Sequence, residues 1–183
     1  MSNLTSGGIR LPKRVLPNLA ILEQALKDNL PVGPSLRPYW HQLFDICPSL
    51  LKLDAPEGRS LLYSYLYWAA RRPALPSWQF YLDVSRWLLL SPYRHRVSDE
   101  QLDILLDASA LRWSDLDQGP AQAILLYRRG GEQLSLARKR GSRGRQLESL
   151  APSQIELPTA DFAWALLEDG DLPAQPDWQA LPV

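Results

Sequence analysis

The sequence predicts an α+β fold, mainly helical in its N-terminal two-thirds and ending in a small antiparallel β-sheet of about three strands. Two observations support this prediction. Before residue 118 apolar residues recur every three or four positions, as on a buried helix face, and after Gly119–Pro120 they alternate with polar residues, as in a strand. We therefore expect a helical domain, 1–118, and a sheet lobe with a C-terminal tail, 119–183, packed as one unit.

Capping residues and prolines mark the ends of the first four predicted helices. The apolar spacing predicts a helix over 18–29, and a second one follows with Pro38 in its first turn, where proline is tolerated. The third helix, 57–72, has a wide apolar stripe. The fourth, 77–90, is apolar on most of its circumference, which predicts burial on several sides.

The last predicted helix begins at a capping box formed by Ser98 and Gln101 and extends to about Trp113. Carboxylates lie along this helix and its exit, with no basic or metal-binding counterpart nearby in the sequence. We interpret them as a solvated face. They are Asp99, Glu100, Asp103, Asp107, Asp115 and Asp117.

The residues around Gly130–Gly131 predict a β-hairpin, because glycine supplies the positive φ that tight hairpin turns require. AQAILLY, 121–127, precedes the glycines, and QLSLARK, 133–139, alternates in character after them. Further strands are predicted at SQIELP, 153–158, and at DFAWALLED, 161–169. The composition of the latter segment also allows a short helix.

Composition excludes several classes of protein. The formal net charge is zero, so the total charge predicts neither nucleic acid nor an anionic membrane as partner. A single Cys cannot form an intramolecular disulfide, which fits a reducing compartment. The N-terminal segment lacks the apolar run of a signal peptide, and no stretch reaches the roughly 20 apolar residues of a membrane span. We expect a cytoplasmic protein.

The stretch RPYWHQLFDICPSLLKL, 37–53, contains the only Cys and one of the 2 His. On a helix, His41 and Asp45 share a face while Cys47 points elsewhere, so the Cys and His form neither a metal-ligand pair nor a nucleophile–base pair. We interpret His41 as a structural histidine and Cys47 as part of the core. Because the sequence has no nucleotide-binding or hydrolase motif, we predict neither a catalytic residue nor a metal ligand in this chain.

Basic residues concentrate in and after the predicted hairpin. Seven of the chain's 20 Lys and Arg fall within 128–145, where Glu132 is the only acid. This cluster is typical either of a solvated hairpin tip or of a site for an acidic peptide or nucleic acid beside a sheet edge. The residues are Arg128, Arg129, Arg138, Lys139, Arg140, Arg143 and Arg145.

The stretch 37–53 resembles the corresponding part of the MbnC family of methanobactin biosynthesis proteins. The segments 75–102 (LPSWQFYLDVSRWLLLSPYRHRVSDEQL), 107–117 (DASALRWSDLD) and 177–182 (DWQALP) resemble that family as well. The resemblance implies one subunit of a heterodimer with an MbnB-type TIM-barrel protein that holds a multinuclear iron centre. That complex uses O₂ to convert cysteines of an MbnA-type precursor peptide into oxazolone and thioamide groups of a copper-binding peptide. The iron belongs to the partner, and we expect no cofactor in this chain.

The resemblance also implies that this chain binds the leader part of the precursor and presents its cysteines to the partner. A leader can add a strand to an open edge of the C-terminal sheet, where backbone hydrogen bonds supply affinity and alternating pockets supply specificity. Basic residues after the hairpin would steer acidic side chains. The predicted peptide-binding residues are Leu134, Leu136, Arg138, Lys139, Arg140, Ile155, Leu157, Phe162, Trp164 and Leu166.

The predicted partner interface consists of Arg37, Tyr39, His41, Tyr93 and Arg96. We expect no activity from the chain alone. Two hypotheses from other classes stay open. A winged-helix-like module would use the basic hairpin as its wing on nucleic acid and would bind DNA in a salt-dependent way. An inhibitor or immunity-type protein would cap an enzyme with its aromatic surface and would reduce the activity of that enzyme.

Overall fold

The computed structural model describes residues 16–28, 30–54, 57–141 and 146–181. It confirms the α+β layout, with helices first and an antiparallel sheet after them. The α-helices are α1 (Leu19–Asp28), α2 (Arg37–Phe44), α3 (Arg59–Ala70), α4 (Phe80–Leu90) and α5 (Asp99–Leu116). The strands are β1 (Ala123–Arg128), β2 (Leu134–Arg138), β3 (Leu147–Leu150), β4 (Phe162–Leu167) and β5 (Gln179–Ala180). In the described ranges no helix combines the length and the apolar character needed to span a membrane.

The helices begin where local chemistry predicts. The capping box of α5 is confirmed, since Ser98 Oγ accepts from the Gln101 N–H at 3.2 Å and Gln101 Oε1 accepts from the Ser98 N–H at 2.9 Å. This helix continues to Leu116, one turn beyond the predicted end. Gly58 precedes α3 with a φ of 66°, and a Cβ built on it would lie 2.9 Å from Phe44 Cε1. Both the backbone conformation and the space therefore require glycine there.

The sheet has more strands than expected. Its order is β3-β2-β1-β4-β5, every neighbouring pair is antiparallel, and the predicted hairpin joins β1 to β2. The segment 161–169 is a strand rather than a helix, whereas the strand predicted at 153–158 is wrong. A short 3-10 helix, Pro152–Gln154, and an irregular segment occupy that region. The sequence does not predict β3 and β5, because β3 is short and mostly half-buried, and β5 is exposed and only 2 residues long.

Both faces of the sheet are buried. On one face, Leu126 and Trp164 pack in one apolar cluster with Ala110 and Trp113 of α5. The opposite face is covered by the segments that follow β3 and β4. Its buried and half-buried residues include Leu125, Leu134, Leu136, Ala165, Leu150, Ile155, Leu172 and Trp178. This two-sided burial explains why β1 is buried at every position.

A second layer of contacts, made by charged groups, joins α5 to the hairpin. The buried Arg128 places Nη1 3.0 Å from Asp99 Oδ1 and Nη2 2.9 Å from Asp103 Oδ1. Lys139 Nζ lies 2.6 Å from Asp117 Oδ2. Arg140 pairs with Asp115 in the same way, and the Ser135 hydroxyl donates a hydrogen bond to Asp107 Oδ1. The prediction of a solvated acidic face therefore holds for Asp99, Glu100 and Asp115, which are exposed. It is wrong for Asp103, Asp107 and Asp117, which are half-buried against partners from the sheet.

Arg128→Ala should lower the free energy of unfolding by about 2 kcal/mol. Removing one partner of a buried pair leaves charge uncompensated, but Asp99 stays 77% exposed, so the loss lies between those typical of buried and exposed pairs. The matched control is Arg129→Ala, since that side chain is 57% exposed and pairs with the exposed Asp161. It should lose less than about 1 kcal/mol. Equal losses in urea denaturation would contradict the buried role of Arg128.

Asp107→Asn should make stability less dependent on pH. Burial raises the pKa of the Asp107 carboxyl above its usual 3.8, although the hydrogen bond from Ser135 opposes that rise. Protonated Asp107 thus favours the folded state, and its contribution is present below the unfolded pKa and lost as the pH rises through the folded pKa. The variant should gain stability relative to the parent as the pH rises from about 4 toward neutral. A difference that stays constant in denaturation experiments across this range would contradict the assignment.

Candidate interaction surfaces

The residue types most often used in catalysis are separated in this fold. Cys47 is fully buried in the cluster formed by the N-terminal helices, where burial raises the pKa of its thiol, and its Sγ lies 3.5 Å from Ser49 Oγ. His41 is on the exposed face of α2, with Nδ1 3.2 Å from Asp45 Oδ2. Within the described ranges, no group of three or more His, Cys, Asp or Glu side chains is arranged to hold a metal ion.

Four of the predicted peptide-binding residues are in the core. Leu134 and Leu136 are on β2, which is hydrogen-bonded on both sides, and their side chains are buried. Phe162 and Trp164 are buried beneath the helices, where the Trp164 ring lies 5.4 Å from the Trp78 ring in an edge-on contact. These side chains support the sheet and are not on its surface.

The remaining predicted peptide-binding residues lie in different places. Arg138, Lys139 and Arg140 each form an ion pair, with Glu148, Asp117 and Asp115 respectively. Ile155 is half-buried under the sheet. Leu157 and Leu166 are exposed, at 39% and 40%. Among the apolar members of the predicted set, only these two are exposed in the described part of the chain.

One end of the sheet is formed by β3. The Arg138 N–H donates to Gln146 O at 2.8 Å, which makes these two residues a hydrogen-bonded pair. Pairing alternates along an antiparallel ladder, so the backbone N–H and C=O groups of Leu147 and Ser149 point away from β2. This edge therefore offers the backbone groups of two alternate residues to an added strand.

The opposite end of the sheet is formed by β5, which is only 2 residues long. The Leu181 N–H donates to Phe162 O at 3.3 Å, so by the same alternation Ala180 directs its backbone groups outward. Because a single residue points outward there, β5 is a weaker template for strand addition than β3.

A groove of about 560 Å³ lies where the C-terminal ends of α3 and α4 meet the β4–β5 end of the sheet. Three guanidinium groups line it, those of Arg72, Arg86 and Arg129, and Asp161 is the one carboxylate among its described lining residues. Leu90, 69% exposed, contributes to its apolar wall. We call this feature the arginine groove.

A second groove, of about 450 Å³, shares Leu90 with the first. Trp68, Trp87, Tyr93 and Arg96 line it, and the rings of Trp87 and Tyr93 are 5.7 Å apart. We call it the aromatic groove. It brings together two of the residues predicted for a partner interface. The other three, Arg37, Tyr39 and His41, are on α2 and line neither groove.

The predicted site residues include neither the two arginines on the helical side of the arginine groove nor the leucine beside them. The apolar end of α4 predicts burial, yet Leu90 is exposed because the helix stops there and the chain turns away. Arg72 follows the end of α3, and Arg86 is the basic residue within a largely apolar helix. An isolated arginine in such a helix is the signal that could have identified the groove.

The described basic residues of the hairpin region are all engaged by carboxylates. Arg128 is buried against α5, and Arg129 pairs with Asp161. The three consecutive basic residues that begin at the end of β2 pair with Glu148, Asp117 and Asp115. Arg143 and Arg145 lie outside the described residues. The nucleic-acid-binding and inhibitor hypotheses stay predictions, since neither is tested by these contacts.

The comparisons with known proteins identify one family. A search of curated proteins found no match. The model of the family described as "Methanobactin biosynthesis cassette protein MbnC-like" matches residues 27–182, which include both grooves and all five strands. This match covers most of the chain, and the protein therefore belongs to the MbnC-like family of methanobactin biosynthesis cassette proteins.

Proposed function

We propose that this chain is the peptide-binding, non-catalytic subunit of an oxidase that modifies cysteines of a precursor peptide in methanobactin biosynthesis. Its partner is a cytoplasmic MbnB-type TIM-barrel protein whose iron, with O₂, supplies the oxidation to oxazolone and thioamide groups. Membership of the MbnC-like family is the observation that carries this proposal. No nucleic acid and no membrane take part.

The leader part of an MbnA-type precursor adds a strand along β3. The outward-facing backbone groups of Leu147 and Ser149 support this choice, because each residue with both groups free can accept and donate one hydrogen bond. Both side chains also lie on the face of the sheet that packs on α5, so the peptide would enter beside that helix. Arg140, whose side chain is 82% exposed, is the steering residue nearest to solvent among those predicted.

Binding alone gives such a subunit a role in the reaction. Holding the leader raises the local concentration of the following cysteines at the partner's iron, which turns an encounter between three molecules into one within a complex. The buried thiol of Cys47 takes no part in this scheme, since burial keeps it protonated and away from substrate.

Ser149→Pro should weaken binding of the precursor peptide by about tenfold. Proline removes the outward N–H of Ser149, a hydrogen bond worth about 1 kcal/mol, and its ring hinders the approaching strand. The native ladder stays intact, because this N–H is not directed at β2 and proline is tolerated on such an edge. Titration of a fluorescently labelled precursor would measure the change.

Ser149→Ala is the matched control for the side chain and should bind like the parent. Ala180→Pro makes the same backbone change on β5 and should also leave affinity unchanged. If Ser149→Pro bound normally while Ala180→Pro lost affinity, the leader would occupy the opposite edge. Thermal denaturation of each variant would verify that the fold is retained.

Co-expression tests the subunit role directly. This chain, tagged and produced with the neighbouring TIM-barrel protein, should purify with an iron-bearing partner, and precursor added in air should lose hydrogen as measured by mass spectrometry. The complex containing Cys47→Ala should convert the same cysteines, because the thiol is buried. A chain that purified alone and iron-free, without enabling any mass change, would refute the proposed function and make DNA binding the next measurement.

A further inference from the structure

Two arginines of the arginine groove share one aromatic ring. The Cζ atom of Arg72 is 4.7 Å from the centroid of Trp68, and that of Arg86 is 5.6 Å from it. Guanidinium groups over a tryptophan face are favourably placed, and the ring limits their motion. Trp68 also lines the aromatic groove. Its ring therefore contacts both grooves, one directly and the other through Arg72 and Arg86.

Arg86 is fixed in its orientation from the core side. Its Nη2 lies 3.3 Å from Asp83 Oδ1, and Asp83 Oδ2 accepts a hydrogen bond from the Tyr65 hydroxyl at 3.2 Å. Arg86 and Asp83 are only 14% and 4% exposed. Burial lowers the pKa of the Arg86 guanidinium, Asp83 opposes this effect, and the positive charge of Arg72 adds to it. The two arginines are thus close enough to repel each other.

The groove has an excess of positive charge. Arg129 pairs with Asp161 at 3.3 Å, and Arg86 with Asp83, whereas Arg72 has no carboxylate partner among the described residues. An acidic group seated between Arg72 and Arg86 would relieve their repulsion and complete the charge balance. Leu89 and Leu90, both exposed, provide an apolar contact beside it.

We propose that the arginine groove docks a protein partner through a carboxylate side chain seated between Arg72 and Arg86, with an adjacent apolar side chain against Leu89 and Leu90. The aromatic groove extends this surface. Tryptophan, tyrosine and arginine are the residues that dominate the energetics of protein interfaces, and here all three surround one exposed leucine.

The occupant is a protein subunit rather than the precursor. The arginine groove adjoins the β4–β5 end of the sheet, and the peptide edge proposed above, β3, is the opposite end. The two adjoining grooves form one continuous surface, because Leu90 lines both of them. The inference rests on the proposed function, and it adds to it the site and the acidic–apolar chemistry by which the barrel subunit is recognised.

The test uses the purified TIM-barrel protein as the probe and measures its dissociation constant from this chain. Arg72→Glu should weaken binding at least about tenfold, and so should Leu90→Asp, since each removes one half of the recognition. Binding by Arg72→Ala should also depend less on NaCl concentration than binding by the parent chain. Precursor affinity of the isolated variants should be unchanged.

The matched controls are Arg71→Glu and Ile46→Asp. Arg71 is adjacent to Arg72 but lies outside the groove, over the Tyr67 ring, and Ile46 is an exposed apolar residue on another surface. Both controls should bind within about threefold of the parent. Melting temperatures of all five variants would verify that they fold.

The outcomes separate this inference from the proposed function. If the parent chain bound the barrel protein and both groove variants bound it equally well, the groove inference would be overturned and the proposed function would stand. Loss of precursor affinity instead of barrel affinity would assign the groove to the peptide and overturn the inference. A parent chain with no affinity for the barrel protein would overturn both.

Discussion

Contact between α5 and the β1–β2 hairpin holds the helices to the sheet. Asp99, Asp103 and Asp107 are spaced one turn apart, so they form one row on the helix, and Arg128 and Ser135 meet that row from the sheet. Below the row, apolar side chains of the same helix pack on β1 and β4. The charged contacts fix which face of α5 meets the sheet, and the apolar contacts supply most of the free energy.

This contact also pairs the acidic and basic clusters of the sequence with each other. The chain is neutral overall, and its acidic helix and basic hairpin each look like an isolated charge cluster in the sequence. In the fold they neutralise each other. A basic segment that seems suited to nucleic acid or an acidic peptide is therefore largely committed to internal pairs, with Arg140 the most exposed of the five in the pairs described.

Two-sided burial of the sheet leaves few places for a ligand. One face is occupied by α5 and the other by the segments after β3 and β4, so strand addition is possible only at the two ends. The ends differ in length and in the number of outward-facing residues. The arginine groove adjoins the β5 end, where α3 and α4 end, and its lining includes the half-buried Arg72 and the exposed Leu90. The proposed peptide and partner sites are thus separated by the width of the sheet.

Local interactions in the sequence determined much of the fold. The capping box at Ser98, the apolar spacing of α3 and α4 and the glycines of the hairpin each act over a few residues, so they could be recognised without a structure. The core position of Cys47 was predictable for the same reason, since its neighbours repeat at helical spacing. The family resemblance added the expected function.

Only the tertiary structure decided which residues are accessible. Leu134 and Trp164 have the alternation of an exposed edge, but β2 and β4 are inner strands, and strand order depends on contacts between residues far apart in the chain. Asp99 and Asp103 of α5 bind Arg128, which is 29 and 25 positions away in the sequence. At such separations the spacing of residues in the sequence does not predict a contact. Arg72 and Arg86 likewise form a site only because two helices end side by side at the edge of the sheet.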